Sequence, residues 1–194
     1  MSLELVVADR VAPQPWRNGG GQTRELAASA PGEHWAWRIS LAEVRQDGAF
    51  SAYPGITRWF AVVQGHGVVL DFGAGHRAML NTASAPLHFD GARAPHCSLQ
   101  GGATQDLNLM LRDGAAGGTM LAARDSEEWI SLAATRAVFA AEPMLLQIDD
   151  ADAMVLPAFS LALSHHARRQ RWRVVGGSGA PAAWWLAIEP AVAP

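Results

Sequence analysis

The residues best suited to chemistry gather near the start of the chain, in Pro15-Trp16-Arg17-Asn18-Gly19-Gly20-Gly21-Gln22-Thr23-Arg24-Glu25. Three successive glycines permit positive φ or close approach to a ligand, and their N–H groups can face an anion. The stretch lacks the Lys-Ser/Thr of a phosphate-binding loop and is not a GxGxxG opening a helix. It is therefore either an anion-facing loop or a wide turn into an edge strand. Thr23 and Glu25 share one face of the strand that follows, and Arg24 takes the other.

A second set emerges from alternation. Trp35, Trp37, Ile39 and Leu41 occupy one parity, and Arg38 and Ser40 the other. Downstream, Leu107, Leu109 and Leu111 lie opposite Asp106, Asn108 and Arg112. If the large apolar side chains pack between sheets, the polar rows face either solvent or the inside of a barrel. A pocket lined by Arg, Asn, Ser and Asp would suit a small carboxylate with amide character.

Other chemistries find less support. The seven histidines include no HxH or HExxH, and the adjacent His165 and His166 would point to opposite faces of a strand. No metal and no cofactor are expected. There is no GxSxG from which to build a serine triad. The single cysteine, Cys97, excludes an internal disulfide and reads as a buried hydrophobe. The run Arg168-Arg169-Gln170-Arg171-Trp172-Arg173 is open to three readings: a solvated strand entry, a partner patch, or a nucleic-acid contact.

The elements that must position these groups are mostly strands. The chain has 194 residues, enough for one domain or two small fused ones. Hydrophobic residues are 49% and charged residues 17%, against ~25% in ordinary domains, which gives a sizeable core and excludes disorder. A net charge of −3 argues against binding held by nucleic-acid phosphates, although all fifteen basic residues are Arg. The N-terminal residues do not read as a signal peptide, and the longest charge-free run (174–188) is short and broken by Gly and Pro. These features point to a soluble, cytoplasmic protein. Strand-like runs fall at 3–7, 59–64, 68–72, 144–148, 160–164, 172–175 and 184–188, separated by turn residues as in a sandwich or barrel. Residues 115–124 and 136–141 are the best helix candidates. Residues 58–67 and 171–179 echo each other as strand, glycine turn and apolar strand, from either a duplicated β-domain or two unrelated hairpins. The pattern breaks at 112–118.

Several stretches together resemble one family, the HutD/Ves proteins, over roughly residues 1–112. They are Pro15 to Gly21 with Thr23-Arg24-Glu25, Trp37-Arg38-Ile39-Ser40, Gly48-Ala49-Phe50-Ser51 with Pro54-Gly55-Ile56-Thr57-Arg58, Gly65-His66-Gly67, Phe89-Asp90-Gly91 and Asp106-Leu107-Asn108-Leu109-Met110. The resemblance implies a mainly β, cupin-type antiparallel sandwich or barrel of the RmlC-like superfamily. Two cupin halves, 1–114 and 115–194, would be packed as one unit, with the 58–72 and 171–188 hairpins in equivalent positions. It further implies a bacterial cytoplasmic protein, with relatives associated with histidine utilisation or stress and no catalytic activity to transfer. Ala92 after Gly91 and Asp113 after Arg112 depart from the family pattern.

The resulting expectation is a non-catalytic protein that binds a small carboxylate such as formylglutamate or urocanate. The candidate ligand-binding residues are Trp16, Asn18, Gly19, Gly20, Thr23, Glu25, Arg38, Ser40, Ser51, Arg58, Asp106 and Asn108, with 16–25 at the rim. Arg38 or Arg58 would pair with Asp106 when no ligand is present, since a buried unpaired charge is costly. Nucleic acid and membrane are not expected partners, and a homodimer is left open. The alternatives are a cupin-fold isomerase, lyase or metal-dependent oxygenase acting on a small polar acid, and a protein-interaction module using the eight tryptophans.

Overall fold

A computed structural model describes residues 3–177 and 181–191. Residues 178–179 of the second echo segment lie outside the described residues. The strands are β1 (Leu3–Val7), β2 (Gln14–Pro15), β3 (Gly21–Ala28), β4 (Trp37–Val44), β5 (Gly48–Ala49), β6 (Ile56–Gln64), β7 (Val68–Asp71), β8 (Arg77–Leu80), β9 (Leu87–Asp90), β10 (His96–Leu99) and β11 (Thr104–Arg112). They continue as β12 (Ala116–Ala123), β13 (Glu128–Ser131), β14 (Thr135–Ala140), β15 (Met144–Ile148), β16 (Met154–Leu156), β17 (Ser160–Ser164), β18 (Gln170–Val175) and β19 (Ala183–Pro190). One 3-10 turn, Ala8–Arg10, is the sole helical element among the described residues, and none of their helices is long and apolar enough to cross a membrane.

The strands form two compact units. Residues 12–115 make a six-stranded sheet, β2-β3-β4-β11-β6-β9, and a four-stranded sheet, β5-β10-β7-β8. The other unit has a five-stranded sheet, β1-β17-β14-β19-β12, and a four-stranded sheet, β13-β18-β15-β16. Every strand from β4 to β11 has a counterpart eight strands later at the same place in its sheet, so the strand order is repeated. The halves do not divide at 114/115 alone, because β1 pairs along its whole length with β17 and residues 3–11 group with those from Ala116 onward.

The echo needs a different alignment. The counterpart of β6 is β14, and the counterpart of β18 is β10, so residues 58–67 and 171–179 are not equivalent. Nor is either segment a hairpin, because β6 and β7 lie in different sheets, as do β18 and β19. The turn between β6 and β7 requires glycine. Gly67 has φ +121°, and a Cβ there would lie 2.4 Å from the Leu80 carbonyl oxygen.

The two helix candidates are strands β12 and β14. All six residues of β14 are buried, which removes the period-two signal that would have betrayed a strand. In β12, Gly117 and Gly118 weaken any helix and the partner β19 supplies a full antiparallel ladder. Each unit has a core fed by both of its sheets. In residues 12–115 it joins Val44, Phe60 and Val62 to Val68, Leu70 and Cys97. In the other unit it joins Val138 and Trp185 to Leu146, Trp172 and Val174.

Candidate functional site

The β3-β4-β11-β6-β9 ladder sets out the inward-facing side chains of the first-described sheet as a grid. One row reads Ala28, Arg38, Met110, Arg58, Phe89. The next reads Glu25, Ser40, Asn108, Phe60, Leu87, and a third reads Thr23, Ala42, Asp106, Val62. Arg38 and Arg58 therefore flank Met110 on neighbouring strands, with Cα atoms ~10 Å apart, two inter-strand spacings. The polar row shares the unit's interior with the apolar core instead of lying opposite it. The leucines of β11 point the other way and are buried as well (Leu107 and Leu109 at 0% exposure).

A cavity of about 580 Å³ opens above the first two rows and reaches Thr23 and Ala42 of the third. Of the residues expected from sequence, Trp16, Asn18, Thr23, Arg38, Ser40, Ser51, Arg58 and Asn108 line it. Gly19, Gly20, Glu25 and Asp106 do not. Glu25 stands beside the site, 4.0 Å from Arg38. Gly20 donates its N–H to Asn18 Oδ1 at 3.0 Å, so this glycine shapes the loop that carries Asn18. The indole N–H of Trp16 donates to the Thr23 hydroxyl at 2.8 Å and fixes the rim to β3.

The glycine triplet is not uniform. A Cβ on Gly21 would lie 2.2 Å from the Glu43 carbonyl oxygen and 3.1 Å from the Trp16 ring, whereas one on Gly20 would meet only the Asn18 side chain, at 3.4 Å. Gly21→Ala is expected to destabilise by roughly 1–3 kcal/mol, the usual cost of overpacking, and Gly20→Ala far less. Equal melting temperatures for the two variants would refute this account of the loop.

Arg58 is the central feature. It is 7% exposed, with its guanidinium carbon 5.4 Å from the Phe50 ring centroid, 5.8 Å from Tyr53 and 5.1 Å from Phe89. Its side chain donates to Asn108 Oδ1 at 2.7 Å, while its Nε has no partner and no carboxylate pairs with it among the described residues. Burial lowers its pKa to about 10, the nearby charge of Arg38 adding to the effect, and it stays cationic at neutral pH. Arg38 is held loosely, donating to the Met110 thioether at 3.6 Å with its Nε buried and unpartnered.

The expected pairing of Arg38 or Arg58 with Asp106 does not occur. Asp106 lies one row deeper, fully buried, accepting the Thr104 hydroxyl on Oδ2 at 2.8 Å with Oδ1 unpartnered. Burial without a counter-charge pushes its pKa up to about 8, so it is largely neutral at pH 7. Cys97 is buried and its thiol is pushed up to about 12, first by burial, which makes it a poor nucleophile. Among the described residues, no group of three His, Cys, Asp or Glu is placed to hold a metal ion.

The sequence reading missed the apolar wall. Phe60 and Met110 share the parity of Arg58 and Asn108 and could have been found from it. Phe50 and Tyr53 come from the loop between β5 and β6, where no period exists. The second unit occupies the equivalent register positions differently. Arg136 takes the register position on β14 that Arg58 takes on β6, but it donates to the backbone carbonyls of Ser131, Arg168 and His166. Trp185 stands where Asn108 does, stacked on Trp129 at 5.1 Å and edge-on to Trp172 at 6.5 Å.

Paired antiparallel sheets repeated in the same strand order define a cupin-type fold of two units. The chain belongs to the HutD family, whose model matches residues 8–180. It is 36% identical over 111 residues to an uncharacterised 21.2 kDa protein from the hutC 3′ region of Pseudomonas putida, covering 56% of this chain and 57% of that one. It is 35% identical over 101 residues to protein Ves of Citrobacter koseri, covering 50% and 51%. The chain thus spans little more than half the length of these relatives. The solved structure of HutD from Pseudomonas fluorescens SBW25 has the same fold, with a TM-score of 0.82, 22% identity and coverage of 97% and 99%.

Proposed function

We propose that residues 12–115 form a non-catalytic receptor for a small carboxylate, with Arg58 and Arg38 as its anion-binding groups. The observation that carries this reading is Arg58, a buried cation that faces a cavity without an anionic partner. Such a charge is costly to leave unpaired, and a ligand carboxylate supplies what the protein does not. The apolar wall of Phe50, Tyr53 and Phe60 accepts the ligand's carbon skeleton, and Ser40 and Asn18 offer polar contacts. The lining contains no Asp, Glu, His or Cys, and its only groups able to pass a proton are the Tyr53 phenol and the hydroxyls of Thr23, Ser40 and Ser51, which favours binding over an isomerase or lyase. The P. putida relative's place in a hutC region supports a ligand from histidine breakdown, formylglutamate or urocanate, sensed in the cytoplasm to govern pathway output.

Thermal unfolding with N-formylglutamate, urocanate, glutarate and the uncharged glutaramide tests this. A carboxylate at ~100 times its dissociation constant adds about 2.7 kcal/mol of stability, and glutaramide adds nothing. Arg38→Ala abolishes the gain, while Arg124→Ala on the exposed surface of the other unit preserves it. Absence of a shift with every carboxylate, or turnover of one of them followed by NMR, overturns the reading.

A further inference from the structure

We propose that Arg112, which lies outside the cavity, is a positioning residue for the anion site and acts on Arg38 through the indole of Trp35. The inference rests on the carboxylate reading above. Arg38 has few supports of its own. Its ion pair with Glu25 is long at 4.0 Å, its one hydrogen bond goes to a sulfur, and thioethers are weak acceptors. What remains is the Trp35 ring, whose centroid is 5.5 Å from the Arg38 guanidinium carbon. Trp35 is 5% exposed and shares a buried cluster with Ile56 and Met110, against which Tyr53 packs, so the cluster that holds it adjoins both arginine-bearing strands of the pocket.

Trp35 is not held by any strand ladder, because it sits in the segment between β3 and β4. Its backbone is fixed by the end of β11 instead. Arg112 Nε donates to the Trp35 carbonyl at 3.0 Å, its terminal nitrogen donates to the Glu33 carbonyl at 2.9 Å, and its main-chain N–H donates to the Ala36 carbonyl at 2.7 Å. The Arg112 guanidinium carbon also lies 5.2 Å from the Trp35 ring centroid. A planar fork reaching two carbonyls while resting on an aromatic ring is an arrangement that Arg can make and Lys cannot. Arg112 itself is exposed and is absent from the cavity lining, so any effect on binding passes through the segment it grips.

The test is calorimetric titration of N-formylglutamate, urocanate and glutarate into the full chain and its variants. Arg112→Ala is expected to weaken binding about tenfold, the scale on which lost preorganisation acts. Arg112→Lys restores the positive charge and leaves the loss in place. In a Trp35→Leu background, adding Arg112→Ala changes affinity by less than about twofold, since a residue acting through Trp35 has nothing left to act on. Should Trp35→Leu not fold, the lysine variant still decides. Full recovery with lysine makes Arg112 a long-range charge and overturns the proposal, and so does wild-type affinity in Arg112→Ala. If the unaltered protein binds none of the three acids, the carboxylate reading falls and takes this inference with it.

Discussion

Replacing Arg58 with methionine is expected to abolish carboxylate binding while leaving the ligand-free protein as stable as before, or more so. The two halves of this result have different causes. Binding is lost because the charge-assisted hydrogen bonds of a buried guanidinium to a carboxylate are worth about 1.5–3 kcal/mol each, so losing them weakens affinity by roughly a hundredfold or more. Stability is kept because the cation is a burden without its ligand. Its desolvation costs several kcal/mol. Contacts with Phe50, Tyr53 and Phe89 return on the order of 0.5–2 kcal/mol each, and the bond to Asn108 adds to that. Methionine fills similar space and its sulfur is favourable against the same rings. Paired measurements of melting temperature and affinity check the prediction. A variant that melts well below the parent, or that still binds within about twofold of it, removes Arg58 from the role assigned to it.

The second large effect belongs to Asp106 and depends on pH. Its carboxyl is raised from an ordinary 3.8 to about 8 in the folded chain, by burial first, with the Thr104 hydroxyl acting in the opposite direction. Between those values the folded state holds a proton that the unfolded state has released. Stability attributable to this group is therefore full below about pH 4 and is lost as pH rises toward 8. Asp106→Asn removes the titration and keeps an oxygen for the Thr104 hydroxyl, but leaves a buried amide N–H without an acceptor. The stability curves of the two proteins should cross. The variant is equal or weaker at pH 5, and at pH 8.5 it is stronger by a few kcal/mol. Urea unfolding at the two pH values measures this directly. Parallel curves would show that the buried carboxyl does not titrate in this range.

Asp106 also marks how far the sequence could be read. Period two assigns a face, and Arg38, Ser40, Arg58 and Asn108 do reach one cavity from the face that parity gives them. Parity carries no measure of depth, however, and Asp106 shares that face one row below the floor. Period two fails altogether where both faces are buried, which is why β14, with Arg136 as its second residue, read as a helix. The repeat was legible as a repeat but not in register, because Arg-Trp followed by glycine is a local likeness, while equivalence is decided by which strands pair. The aromatic wall from Phe50 and Tyr53 has no local signature, since a loop side chain is placed by the fold around it.

The pairing of β1 with β17 has a consequence for the birth of the molecule. Residues 3–7 are synthesised before residues 160–164, and their ladder closes across nearly the whole chain. The unit spanning residues 12–115 has all its sheet partners within its own span and can complete its ladders as soon as it clears the ribosome. The β1 strand must wait for its ladder partner until β17 emerges. Long-range closure of this kind is slow because the chain entropy is lost before the contact forms. Translation order and folding order are thus inverted: the unit of residues 12–115 matures first, and β1, although synthesised before it, is among the last strands to find its place.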